Sequence, residues 1–174
     1  MKKNILFIIS NMESGGFQKS LISLLNNFNF DKYNVDLLIL SYKGIFLSQI
    51  PKKVNLVKVD IEECFFESFP KAILLLLKKR KFKLALKRCI HFIIAIFNKG
   101  IAGIYMAKQI PRINKKYDVS IDYNGQYILY YMVDKIKAKK KISYFHSDYK
   151  RWPYYKRADR IYYPLVDYIV TISD

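Results

Sequence analysis

"NILFIISNMESGGFQKSLISLLNNF" (residues 4–28) decides how the rest of the chain is read. Its opening, Asn4–Ser10, is a continuous apolar run rich in isoleucine, the composition of a strand covered on both faces. From Phe17 the period changes: Phe17, Leu21, Leu24, Leu25 and Phe28 mark one face of a helix. Gly15 and Gly16 sit at the handover. Without side chains they let a ligand approach the backbone, where the first amides of a helix and the positive end of its dipole point outward. A tight strand–helix turn accounts for the same two glycines, so the pair alone does not choose between a turn and a phosphate-holding loop.

Working outward, "NVDLLILS" (34–41) reads as a second strand and "VNLVKVD" (54–60) as a third. Strand, helix and strand in this order form a βαβ unit, whose right-handed crossover implies a parallel sheet. The same rhythm returns near the carboxyl end. "YDVSIDY" (117–123) is a strand, 126–136 a short helix, "KKISYFHS" (140–147) a strand and "DYIVTIS" (167–173) the last. Pro153 and Pro164 bracket a basic, tyrosine-rich connection expected to hold a short helix. Six strands alternating with helices predict an α/β fold, a Rossmann-like doubly wound parallel sheet. Ligands of such sheets bind beyond the carboxyl ends of the strands, here 10–16, 123–125, 146–148 and 173–174.

Residues 65–116 interrupt the alternation as a helical insert. Pro70 can open a helix with Ile73, Leu76 and Leu77 on its apolar stripe. A second stripe runs through Leu86, Ile90, Ile93, Ile94 and Phe97. Gly100 and Gly103 loosen the boundary before a third helical stretch, which Pro111 is expected to kink. From Lys71 to Arg88 lie eight basic residues and no acid: Lys71, Lys78, Lys79, Arg80, Lys81, Lys83, Lys87 and Arg88. A solvated helical face has this makeup, and so does a helix lying at an anionic membrane surface.

A length of 174 residues favours one domain, and 52% hydrophobic residues exclude a disordered chain. The balance of 31 Lys+Arg against 14 Asp+Glu, a net +17, predicts an anionic partner: nucleic acid, acidic phospholipid or a phosphorylated substrate. "MKKNILFIIS" imitates a secretory signal, yet its apolar run is too short and Glu13 follows closely, so it reads as a buried strand. No stretch is long enough to span a bilayer. Two cysteines, Cys64 and Cys89, make no disulfide framework, which fits a reducing cytoplasm.

Several chemistries are excluded. G-x-G-x-x-G and G-x-x-x-x-G-K-[ST] are both absent, which removes a nicotinamide enzyme and a Walker-type ATPase. G-x-S-x-G is absent too, and with it the α/β-hydrolase nucleophile. Cys89 and His91 are two apart on a predicted helix and diverge, and no metal-ligand spacing occurs. Glu62 and Glu63 are adjacent and diverge likewise. Fifteen tyrosines beside basic residues resemble a nucleic-acid stacking surface, but no recognised binding motif accompanies them. His146, Ser147 and Asp148 leave a strand at the functional edge. A histidine there can exchange a hydrogen bond with a hydroxyl near neutral pH, or it can close the strand end against the backbone. His91, among apolar residues, reads as structural.

Taken in order, "SNMESGGFQKSLISLLNNF" after an apolar strand, "YDVSIDYNGQY", and "KKISYFHSDY" leading to "YPLVDYIVTISD" resemble the amino-terminal half of group-1 glycosyltransferases of the GT-B fold, especially bacterial enzymes of surface-polysaccharide biosynthesis. The resemblance covers nearly the whole chain. It implies that residues 1–174 are the acceptor-side Rossmann-like domain, with the donor-binding second domain absent and expected as a partner. It carries Gly15, Gly16 and Gln18 to the loop that meets the donor phosphates. It carries His146 to a histidine beside the transferred sugar, and Tyr123, Asn124 and Asp148 to the acceptor side. The implied substrates are a nucleotide-sugar donor and a carbohydrate or lipid-linked acceptor, with no metal, no separate cofactor and no nucleic acid. The implied location is cytoplasmic and peripheral to the inner membrane face. Lys78, Lys79, Arg80, Lys81, Lys83, Lys87 and Arg88 would form the membrane surface there. A non-enzymatic membrane-surface or assembly module on the same scaffold is the alternative.

Overall fold

The computed structural model describes residues 2–151 and 155–171. Six strands form one all-parallel sheet: β1 (Lys3–Ile9), β2 (Tyr33–Ile39), β3 (Asn55–Val57), β4 (Lys116–Asp122), β5 (Lys137–Phe145) and β6 (Tyr168–Thr171), in the order β3-β2-β1-β4-β5-β6. This is the Rossmann-like doubly wound arrangement. The strand order reverses between β1 and β4, and that switch point is where open sheets of this kind bind ligands.

β1 lies centrally, with Ile5 in register with both Val35 of β2 and Val119 of β4. Its alternating side chains feed two cores, which is why every residue from Ile5 to Ile9 is apolar. Ile5, Phe7 and Ile9 pack with Leu21, Ile22 and Leu25 of helix α1 (Gly16–Asn26). Leu6 and Ile8 face the opposite layer, built from α4 (Lys99–Gln109), α5 (Tyr127–Lys135) and α6 (Lys156–Tyr162). Buried tyrosines tie that layer together: the Tyr130 hydroxyl donates to Asp159, and the Tyr162 hydroxyl to Asp134.

The insert contains α2 (Phe69–Lys78) and α3 (Phe82–Phe97), with Pro70 in the first turn of α2. α2 ends in a Schellman motif: Lys81 N–H donates to Leu76 O and Arg80 N–H to Leu77 O, with Arg80 at φ 56°. α3 packs chiefly on α2 and α4, one layer out from the sheet. Its stripe of Leu86, Ile90, Ile93 and Phe97 faces outward, with Phe97 84% exposed. The inward face carries Ala85 and Arg88 instead.

Two expectations about α4 are corrected. Gly100 and Gly103 lie inside the helix, and Asn98 caps its start by accepting from Ile101 N–H. A Cβ on Gly103 would stand 3.0 Å from the Tyr130 ring, so the glycine serves the close contact of α4 with α5. Pro111 kinks nothing, since α4 has ended at Gln109. β5 also begins earlier than expected, at Lys137, because its lysines find partners on either side: Lys139 with Asp118 and Lys140 with Asp167. Ser173 and Asp174, expected at the end of the last strand, and the bracketing Pro153 lie outside the described residues. Among the described residues, no helix is long and apolar enough to cross a membrane.

Candidate functional site

Three loops leave the carboxyl rim side by side, after β1, β4 and β5, on and beside the switch point. The first two are joined directly: Ser10 donates from both its amide and its hydroxyl to Asn124 Oδ1. The loop after β4 is shaped by Asp122, which is fully buried. Its Oδ1 accepts from the amides of Asn124 and Gly125, and its Oδ2 from the Ser143 hydroxyl of β5. Burial outweighs these bonds and pushes the Asp122 carboxyl up to about 6. Asp122 and Ser143 were not recognised as site-building residues from sequence. The available signal was an acid at the last position of a strand, immediately before Tyr-Asn-Gly.

The start of α1 has Gly15 as its N-cap and no side-chain cap, with no acidic residue in the first turn. Gly16 is exposed and a Cβ there would meet nothing within 4 Å. The amides of this first turn therefore face an open approach. Gln18 does not. Its side chain is 4% exposed, folded under Gly15, donating from Nε2 to Asn11 Oδ1 and leaving Oε1 buried without a partner. Any contact of Gln18 with a ligand is thus confined to its backbone.

His146 is half-buried in an aromatic cage. Phe17 of α1 stacks on it at 5.8 Å and 27°, Tyr144 at 5.7 Å and 22°, and Tyr123 lies tilted at 4.8 Å. Its Nε2 is buried with no hydrogen-bond partner. Buried polar atoms are nearly always satisfied, so this ring nitrogen at the carboxyl rim is an exception. Desolvation by the cage lowers the His146 pKa, so the imidazole is neutral at physiological pH.

Tyr123 is 2% exposed and forms the floor under His146, its hydroxyl hydrogen-bonded to Ser20 at 3.0 Å. Its side chain therefore lies beneath the rim on which the acceptor side was expected, not on its surface. Asp148 is exposed and accepts from Lys150 N–H. The structure therefore brings Gly15, Gly16, Phe17, Asn124 and His146 to one rim, with Tyr123 beneath.

The basic run divides. Lys78, Lys79, Arg80, Lys81 and Lys83 are exposed, and Glu62 holds both Lys79 and Lys81. Lys87 is partly buried. Arg88 is 5% exposed, which removes it from any membrane surface. At the opposite, amino-terminal rim, a cavity of about 530 Å³ is lined by Asp36 and Lys115, which are paired with each other at 2.8 Å. Its ion pair is satisfied, and it lies on the wrong edge for a doubly wound sheet. Among the described residues, no cluster of three or more His, Cys, Asp or Glu is placed to hold a metal. No family model and no curated protein matches this chain.

Proposed function

We propose that the chain is the acceptor-side domain of a glycosyltransferase, moving a sugar from a nucleotide-diphosphate donor to a carbohydrate or lipid-linked acceptor in polysaccharide biosynthesis. One observation carries the reading: the first turn of α1 and the neutral, partnerless His146 meet at the switch point through Phe17. In the transfer, the acceptor hydroxyl oxygen bonds to the anomeric carbon as the bond to the diphosphate breaks. The open amides at Gly16 suit the negative charge gathering on the leaving diphosphate. His146 orients the acceptor hydroxyl or the donor sugar, and its neutral imidazole can take the hydroxyl's proton. A second Rossmann-like domain, in the same chain or another, supplies the grip on the nucleotide. The nucleotide sugar is substrate, and the reading calls for no further cofactor and no metal.

The exposed apolar stripe of α3 and the neighbouring cations of the α2–α3 turn favour a peripheral position on an anionic, cytoplasmic membrane face. This feature also favours the second reading, a membrane-surface or assembly module without catalysis. Transfer assays on the chain combined with its donor-binding domain, using a panel of nucleoside-diphosphate sugars, separate the two. His146→Ala is expected to lower turnover about 100-fold, within the range for a lost acid–base group. Turnover unchanged by that substitution removes His146 from the transfer, and turnover absent with every donor favours the module.

A further inference from the structure

Arg88 sits on the inward face of α3, 95% removed from solvent, among the described residues without a carboxylate bonded to it. Its bonds go to neutral groups. Nη2 donates to the Glu67 carbonyl at 3.0 Å and Nη1 to His91 Nδ1 at 2.8 Å, while Nε has no partner. The Glu67 carboxylate is engaged elsewhere, by Lys43 and Lys71. A guanidinium has five N–H donors, so two bonds leave most of its capacity unused. A buried charge left in this condition is costly unless something anionic completes it.

The space beside it is a cavity of about 330 Å³, between α3, α4 and the start of α5. That lies within the roughly 300–1,000 Å³ of small-molecule sites. Its polar lining, besides Arg88, is His91, Lys99, Gln126, Tyr127 and Tyr155, and small or apolar residues of α3 and α4 form the rest of the wall. Arg88 can only donate, so His91 Nδ1 must accept, and the neutral ring carries its proton on Nε2, a second donor. Burial beside Arg88 keeps His91 neutral, its pKa lowered to about 4. Lys99 brings an ammonium, Gln126 an amide and the two tyrosines hydroxyls. Among the described residues, the polar part of the lining offers donors and contains no acid.

We infer that this cavity is a binding site for a phosphate group, with Arg88 as its central donor and His91 and Lys99 beside it. An arginine fork in a low-dielectric pocket is well matched to phosphate oxygens. The inference goes beyond the sugar-transfer reading. It does not use His146 or the glycine loop, so the failure of one leaves the other standing. The phosphate can belong to a soluble metabolite or to a lipid headgroup, whose chains would run onto the apolar outer face of α3.

The test is titration of the isotopically labelled chain with inorganic phosphate, pyrophosphate and dihexanoyl phosphatidic acid below its micelle concentration, followed by NMR. Saturable shifts of the Arg88 Nε–H and His91 signals are expected. Arg88→Met, which keeps the apolar packing of the stem, should weaken binding at least tenfold, and Lys99→Gln severalfold. Should Arg88→Met not fold, the Arg88 Nε–H signal and Lys99→Gln decide. Binding of the diacyl phosphate at least tenfold tighter than that of inorganic phosphate identifies a lipid source. Comparable affinities identify a soluble one. Shifts that stay linear, or spread over Lys78–Lys83 and persist in Arg88→Met, overturn the inference, as does no binding of any probe.

Discussion

The ring of Phe17, in the first turn of α1, stacks on the ring of His146, beyond the end of β5, with centroids 5.8 Å apart and planes at 27°. Nothing local in sequence joins them. The contact exists because β1, β4 and β5 are neighbours in one parallel sheet, so the loops after them share a rim. If His146 acts as proposed, Phe17 is a positioning residue, holding the imidazole without offering chemistry. Phe17→Ala is expected to cut turnover about tenfold with little change in substrate affinity, and Phe17→Leu to restore most of it. A mainly structural role for Phe17 would instead show as lost thermal stability with kcat of the folded fraction intact.

Asp122 gives the rim a pH signature. Its folded carboxyl holds a proton up to about pH 6, whereas the unfolded one releases it near the ordinary aspartate value of 3.8. Between those values the folded form binds more protons, so this group's contribution to stability falls as pH rises through the window and is flat above it. The fall amounts to at most about 3 kcal/mol. His91 acts in the opposite sense, since its lowered pKa makes folding less favourable below its usual 6.5. Comparison with Asp122→Asn cancels that term. The asparagine keeps an oxygen for the two loop amides and turns its NH₂ toward the Ser143 hydroxyl, which can accept. Urea denaturation at pH 4.5, 5.5 and 7 should show wild type losing ground to the variant as pH rises. Parallel curves would mean that the carboxyl is not perturbed.

The parallel sheet was legible because strands covered on both faces must be apolar throughout, and Ile5–Ile9 and Leu37–Leu40 can be little else. Helix α3 shows where such legibility stops. A 3.6-residue period says that Leu86, Ile90, Ile93 and Phe97 share a face, not that the face points inward. With Arg88 and Ala85 turned to the interior, the stripe is outside. Arg88 was read as one charge in a run of eight, since burial of a cation depends on α2 and α4, which no local pattern encodes. Lysines likewise concealed the start of β5, whose ion partners Asp118 and Asp167 come from adjacent segments. Gly15 and His146 were identifiable because strand ends in an alternating chain fall on a common edge. The inward turn of Gln18 and the burial of Tyr123 depended on side-chain packing and were not.

Gly44 supports the glycine loop from beneath. Its φ is 125°, and a Cβ on it would lie 1.9 Å from the backbone carbonyl of Met12. The two segments are also hydrogen-bonded: Met12 N–H to Lys43 O and Phe46 N–H to Met12 O. Gly44→Ala must therefore displace the β1–α1 connection. A loss of about 3 kcal/mol or more is expected in chemical denaturation, combining backbone strain with overpacking. A loss below 1 kcal/mol would show that the 41–46 segment moves freely away from Met12.

Arg80 occupies the left-handed position of the Schellman motif that closes α2, a site usually taken by glycine. Holding a side chain there costs about 1–2 kcal/mol. Replacement by glycine relieves this, offset by the greater freedom of glycine in the unfolded chain. Arg80→Gly should raise stability by about 0.5–1 kcal/mol in denaturant titrations. A loss of stability would place the chain reversal at another residue.

The outward stripe of α3 and the cations of the α2–α3 turn make separate demands on a membrane. Lys78, Arg80 and Lys83 are exposed, and each cation near an anionic leaflet contributes about 1 kcal/mol that salt removes. Lys79 and Lys81 contribute less, because Glu62 already neutralises them in part. Leu86, Ile93 and Phe97 would add apolar insertion, which salt does not remove. Flotation with phosphatidylserine vesicles should therefore be strong at low salt and weaker, yet present, at 0.5 M salt (about a 4 Å screening length). Lys78→Glu combined with Lys83→Glu should abolish the salt-sensitive part, and Leu86→Glu with Ile93→Glu the residue. Because all four side chains point to solvent, neither pair should unfold the protein. Equal flotation of every variant would remove this face as the docking surface, and α3's apolar stripe would then need a protein partner.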